Sequence, residues 1–414
     1  MKNRLITATL LVSMISVSLL AGGNASQETS ARLDGLGLNS FQTRDNYNIW
    51  ANPAYMNSYR SEATINISGQ DITKVMAGGN VGTSVGAFGV YFGRQSRDNT
   101  AAMVDPVDGV QYNTVGGTFS TLVPINQFDL FYAAGLSENI DLGLRFSRKG
   151  KDESNTTTSG SITKGSDHYT SEYELESGLV FKSIGLDVSL AIGLPNYYQK
   201  ETLSNTNTQR AESDGAFFVT LQGGYDIDFE GDSKLRINGF VGSASLDSKA
   251  SDDLDTETRT ASLLEISAGV TYENQLSEQL RLFLSTSLVY ESISSELQNQ
   301  LNQTGKDDRS RLLLPVVAAL EVNVGQSWQV RAGASVENLA LYNNIKTENI
   351  SGTGNDTSAE YSPTQEMDVN LNFGLGYHPI KAVSIDLALR QGQLFGGSNL
   401  FDNLTSKITG SYRF

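Results

Sequence analysis

Leu404-Thr-Ser-Lys-Ile-Thr-Gly-Ser-Tyr-Arg-Phe414, the last stretch of the chain, carries the reading of the fold. Every second residue back from the end gives Phe414, Tyr412, Gly410 and Ile408, a mostly apolar set. The residues between them, Arg413, Ser411, Thr409 and Lys407, are polar and basic. Side chains of an extended chain point alternately to opposite faces, so the stretch is a strand with one greasy face and one wet face. A soluble sheet shows the same alternation, and the rest of the chain has to decide between the two.

Upstream, the same period repeats from Glu62 onward. Ile140, Leu142, Leu144 and Phe146 interleave with Asp141, Gly143, Arg145 and Ser147. Leu264, Ile266, Ala268 and Val270 interleave with Glu265, Ser267 and Gly269. Val383, Ile385, Leu387 and Leu389 interleave with Ser384, Asp386, Ala388 and Arg390. The runs are about 10–14 residues long, and a tilted strand needs about 9–11 to cross a bilayer. One such run is a weak signal; many in a row are a strong one. Short connections (137–139, 182–184, 229–232, 276–278, 325–327, 378–381) alternate with long polar ones (95–125, 150–169, 195–213, 247–258, 293–308, 341–364, 393–402). Short periplasmic turns opposite long outer loops are the asymmetry of outer-membrane barrels. The expected fold is therefore all-β: a transmembrane antiparallel β-barrel of about 14 strands beginning near Thr83, or up to 16 if the two stretches at 62–80 also span.

Composition fits. The chain has 414 residues, a formal charge of −16, 40 Gly, 7 Pro, no Cys and 39% hydrophobic residues. That is too polar for helical spans, which need runs of about 20 apolar residues. A barrel tolerates it, because half of each strand faces the lumen. The acidic balance argues against nucleic acid as a partner. Met1-Lys-Asn-Arg4, the apolar run Leu5 to Leu20 and the small residues up to Ala25 read as a signal peptide over 1–25, cut after Ala25. Without Cys there is no lipid-anchored N-terminus and no disulfide. Residues 26–60 lack the two-residue period and form a separate N-terminal segment ahead of the barrel, 61–414.

A chain that ends on an aromatic, with another two residues earlier on the same face, resembles the closing strand of bacterial outer-membrane β-barrels. In that family this strand is read by the barrel-assembly machinery. The resemblance implies Tyr412 and Phe414 as an assembly signal, and the lipid and lipopolysaccharide of a Gram-negative outer membrane as surroundings. Trp50-Ala-Asn52-Pro53-Ala carries a second likeness. Asn52-Pro53 reads on its own as the start of a short helical turn. With its upstream aromatic it resembles a motif of the FadL-type outer-membrane transporters of fatty acids and hydrocarbons, whose N-terminal segment folds into the barrel as a small plug. Trp50, Asn52 and Pro53 would then belong to a plug or to its turn.

The informative chemistry is on the face opposite the apolar one. Arg145, Arg236, Arg281, Arg331, Arg390 and Lys407 sit there with Asp141, Asp187, Glu265, Glu337, Asp368 and Asp386. Charges facing hydrocarbon cost several kcal/mol each, so these are expected to line the lumen, around an open pore or laced by ion pairs. Phe131, Phe218, Phe283 and Leu313 share that face, as a greasy path or as a seat for the N-terminal segment.

No catalytic set, metal site or cofactor is expected. The two histidines, His168 in an outer loop and His378 in a periplasmic turn, should lie at opposite ends. Gly82-Thr-Ser84-Val-Gly86 matches a nucleophile elbow without its strand-to-helix setting. Asp252-Asp-Leu-Asp-Thr-Glu257 lacks the spacing of a calcium loop. The function expected is an outer-membrane channel passing small-molecule solutes by passive diffusion. The alternatives are a FadL-type transporter of hydrophobic molecules and a structural or adhesive barrel with acidic surface loops.

Overall fold

The computed structural model describes residues 29–69, 74–94, 125–159, 162–204, 207–229, 232–251, 256–298, 304–336, 339–348, 357–361, 369–391 and 404–414. The leader over 1–25, Glu337, Asp368 and most of the acidic loop at 252–257 lie outside these residues.

The alternating runs form one antiparallel sheet that closes on itself. In chain order its strands are β1 (Glu62–Gly69), β2 (Lys74–Thr83), β3 (Gly86–Phe92), β4 (Ile125–Ser137), β5 (Ile140–Ser159), β6 (Ile162–Phe181), β7 (Leu186–Ser204), β8 (Asn207–Phe229), β9 (Ser233–Ser251), β10 (Thr256–Gln275) and β11 (Leu280–Gln298). They continue as β12 (Thr304–Leu313), β13 (Val316–Val324), β14 (Trp328–Val336), β15 (Ala340–Glu348), β16 (Thr357–Tyr361), β17 (Val369–Ile380), β18 (Val383–Gln391) and β19 (Leu404–Arg413). Closure runs through β1 and β19, from Glu62↔Arg413 to Gly69↔Ser406.

The wall has 16 strands, the upper of the two counts expected, and not the 14 that would begin near Thr83. Both stretches at 62–80 span, as β1 and β2, and the turn at 84–85 joins β2 to β3. The remaining pieces are interruptions. β11 pairs through its outer half with β12 and through its inner half with β13. Between those two lies Pro315, which has no N–H to give the ladder. Its carbonyl instead accepts from Ser287 N at 3.2 Å and Thr286 Oγ1 at 3.1 Å. In the same way β14 and β15 are the inner and outer parts of one strand, and β17 and β16 those of the next.

A further correction concerns the long connections. The stretches at 150–159 and 162–169 are paired strand, as are 195–204 and 207–213, and β5 to β11 run to 19–23 residues. A crossing needs about 9–11, so these hairpins stay paired beyond the bilayer. Their Ser, Thr and charged residues read as loop because they lack the apolar alternation of the lower strands.

Burial is inside out. Leu144, Leu175, Leu190, Leu221, Val330, Phe373, Ile385, Ile408, Tyr412 and Phe414 face outward, while Asp141, Arg145, Arg236, Arg331 and Asp386 are buried within. This is the pattern of a wall in lipid, and the chain is an outer-membrane β-barrel.

Candidate functional site: the filled end of the lumen

Residues 29–61 lie inside the barrel, at the end of the short turns. Ser30 caps the helix α1 (Ala31–Leu36), which stops at Gly37 in the left-handed conformation (φ 71°). Two 3₁₀ turns follow, Asn46–Trp50 and Pro53–Asn57. Pro53 opens the second, and Asn52 caps it by accepting from Ala54 N at 3.0 Å, the short helical turn that Asn-Pro calls for.

Three apolar seats hold the segment. Leu33, Leu36 and Leu38 pack on Phe283, Val317 and Ala319. Phe41 meets Phe240 edge-on, with ring centroids 6.4 Å apart. Trp50 stands edge-to-face on both Tyr91 and Phe131, at 5.0 Å each. Burying each large apolar side chain is worth about 1.5–3 kcal/mol. So Phe131 and Phe283 serve as seats for the segment. Phe218 and Leu313 are buried as well, Phe218 against Gly193.

The backbone comes equally close. A Cβ on Gly143 would collide with Ala54 N and the Pro53 carbonyl carbon, and one on Gly178 with the Asn52 amide. Across the lumen, a Cβ on Gly35 would lie 2.8 Å from Gly374 Cα, and one on Gly333 would strike the Leu36 carbonyl. Wall glycines thus make room for the segment on two sides.

Polar contacts fix its position. Asn52 Nδ2 donates to Leu179 O at 3.0 Å and Val188 O at 3.1 Å, tying the elbow to β6 and β7. Arg32 grips Glu321 through Nε at 2.9 Å and Nη2 at 3.1 Å, and Glu321 also receives Arg331 Nε at 2.8 Å. Arg331 Nη1 reaches Asp386 at 2.6 Å. A second set has the same plan. Arg44 binds Asp226 at 2.5 Å and Asp187 at 3.0 Å, and Arg236 binds the same two carboxylates at 3.0 and 2.9 Å. In each set a wall arginine and a segment arginine share wall carboxylates. Arg44 also stacks over Tyr55, with Cζ 4.6 Å from the ring centroid. Desolvation opposes the charge of Arg32, but the Glu321 carboxylate outweighs it and holds the guanidinium above its ordinary pKa. Burial pushes the Asp45 carboxyl up, against the pull of Arg32.

Further along the wall, Arg145 pairs with Glu174 and with Glu176, the latter at 2.9 Å. Asp141 takes Lys182 at 2.9 Å and Asn57 Nδ2 at 2.6 Å. Lys407 meets Asp34 at 3.1 Å, and Arg281 meets Glu273 at 3.3 Å. Glu265 is buried and Arg390 half-buried on the same face. At the level of the segment, then, the expected lumen-lining charges form ion pairs against it or within the wall, and Arg145, Arg236 and Arg331 are nearly sealed from solvent. Replacing Arg331 by Met should lower stability by about 3–5 kcal/mol, because Asp386 and Glu321 lose a buried partner. Urea unfolding in detergent micelles measures this; an unchanged midpoint contradicts it.

Sequence reasoning missed the roles of Arg32 and Arg44, and of Glu321, Asp226, Arg94 and Asp129. The last two form a bidentate pair at 3.0 and 3.1 Å. Arg32 and Arg44 are the only basic residues in the stretch 29–59, which has no two-residue period to show which way they point. His168 lies on β6, and His378 lies on β17, with Nε2 3.1 Å from Gln329 Oε1. Both were expected in connections. Ser84 sits in the β2–β3 turn.

No protein-family profile matches the chain, and no curated protein sequence does. Among solved structures, the CymD monoaromatic hydrocarbon channel aligns over 95% of this chain and 99% of its own, at 10% identity and a TM-score of 0.42. The TodX monoaromatic hydrocarbon channel, as a deltaS2S3 mutant, aligns over 94% and 99%, at 11% identity and a TM-score of 0.41. The translocator domain of the autotransporter NalP from Neisseria meningitidis aligns over 67% and 89%, at 11% identity and a TM-score of 0.31.

Proposed function

We propose that this outer-membrane barrel is a channel through which small solutes cross by passive diffusion, with residues 29–61 setting its bore at the short-turn end. The observation that carries the reading is the pairing of a wide, charged-faced wall with an inner segment that fills one end of it. A barrel of this strand number is wide enough to hold water, and here the lumen would be bounded by protein charge instead of hydrocarbon. A greasy path is less favoured. Phe131 and Phe283, which could have lined one, are covered by Trp50 and by Leu33 and Leu36. In this reading the leader is removed after Ala25, Tyr412 and Phe414 are read by the barrel-assembly machinery, and lipid and lipopolysaccharide surround the wall. The role is transport without catalysis.

Purified protein in planar bilayers should give discrete current steps that grow in proportion to KCl concentration. Silence over a wide range of salt, together with uptake of a hydrophobic probe into liposomes, would replace this reading by the FadL-type one.

A further inference from the structure

The segment does not meet the wall everywhere. Between residues 42–44 and strands β8 to β11 there is a cavity with about 100 Å³ of room for water. The gap beside Tyr59 and Glu62, by contrast, has about 10 Å³, enough for one water at most. The larger cavity is lined by five cations, Arg32, Arg44, Lys234, Arg236 and Arg281, against two carboxylates, Asp226 and Glu273. It lies near the short-turn mouth. Lys234 and Arg281 are the second residues of β9 and β11, and Glu273 is two residues from the end of β10.

Three of the five cations have donors to spare among the described residues. Lys234 stands 3.8 Å from Asp228, beyond hydrogen-bond reach, with that carboxylate 79% exposed and so shielded by water, and it acts on Asp226 only through its charge. Arg281 uses Nε on Gln275 at 2.9 Å and Nη1 on Glu273 at 3.3 Å, which leaves Nη2. Arg44 uses Nε and Nη2 on Asp226 and Asp187, which leaves Nη1. Guanidinium and ammonium donors converging on a partly enclosed space match the charged oxygens of a phosphate or carboxylate group.

The geometry points to a binding site for a small oxyanion in this cavity, shared between the inner segment and the wall and independent of whether the barrel conducts. Arg32 and Arg44 come from the segment, so the site exists only when the segment is seated. Lys234 and Arg281 come from the wall, and both side chains are 38% exposed, so they can be changed without stranding a buried charge.

The test is isothermal titration of the detergent-solubilised full-length protein with inorganic phosphate at constant ionic strength. The wild type should bind saturably. The Lys234→Gln/Arg281→Gln protein should bind at least tenfold more weakly. The Lys249→Gln/Lys306→Gln protein loses the same formal charge from the outer strand extensions and should bind like the wild type. Heat-dependent gel mobility verifies that each barrel is assembled. The site is refuted by the absence of saturable binding in the wild type, by full affinity in the Lys234/Arg281 variant, or by equal loss in both variants, which would reduce the effect to net charge.

Discussion

A chain lacking residues 26–50 is expected to form a barrel whose conductance in planar bilayers is several-fold that of the full-length protein. The barrel should survive because the wall carboxylates that bind the segment's arginines keep a wall arginine without them, although Lys407 loses Asp34. When Arg44 leaves, Asp187 and Asp226 keep Arg236; when Arg32 leaves, Glu321 keeps Arg331. What the wall loses is apolar contact at Phe283, Phe240, Tyr91 and Phe131. Each exposed patch costs about 1.5–3 kcal/mol. All 16 strands and their closure by β1 and β19 remain. A point substitution in the wall should unseat the segment without removing it, and so change the conductance by less than the deletion does. Gly143→Val places side-chain atoms where the Pro53–Ala54 peptide lies, on the lumen side of β5, and should push the elbow inward while leaving the ladder intact. If the truncated barrel is assembled, as judged by heat-dependent gel mobility, and conducts no more than the full-length protein, residues 26–50 do not set the bore and the proposed role of the segment falls.

The fold was legible because a barrel in lipid enforces the two-residue period on every strand, and pairs such as Leu142 against Asp141 and Ile385 against Asp386, repeated along the chain with short and long connections alternating, set it apart from a soluble sheet. The strand count was less legible for a physical reason. β2 contains Met76, Ala77, Gly78, Gly79 and Asn80, where glycine and a small side chain dilute the alternation, although the pairing with β1 and β3 is regular. The site was half legible. Charges on the inner face could be placed on strands one by one, but their partners come from segments far apart in sequence. Arg32 meets Glu321 and Arg44 meets Asp187 only through tertiary structure. The capping role of Asn52 is local and could be read; its second role, donating to two wall carbonyls, depends on the close approach that Gly143 and Gly178 permit.

Deletion of Phe414 alone is expected to reduce assembled barrel in cells severely, and magnitudes separate the two ways this could happen. Phe414 N donates to Ser61 O at 2.9 Å, the last rung between the chain end and the start of β1. A hydrogen bond is worth about 0.5–1.5 kcal/mol net. Its ring is 60% exposed on the outer face, 6.1 Å from the ring of Tyr412, and contact of such a ring with lipid adds about 1.5–3 kcal/mol. Together these are a few kcal/mol, shared with a wall of 16 strands whose β1–β19 ladder stays paired from Glu62↔Arg413 onward. Folding energy alone therefore predicts a modest loss, the same in a test tube as in a cell. Recognition of the terminal aromatic by the assembly machinery predicts something different. Purified, urea-unfolded protein without Phe414 should refold into detergent nearly as well as the intact chain, while the amount of heat-modifiable barrel recovered from cells drops at least tenfold with export unchanged. Equal yields of barrel from cells would remove Phe414 from the assembly signal. An equal deficit in both settings would assign its effect to closure of β19 on β1 and leave the machinery out of the explanation.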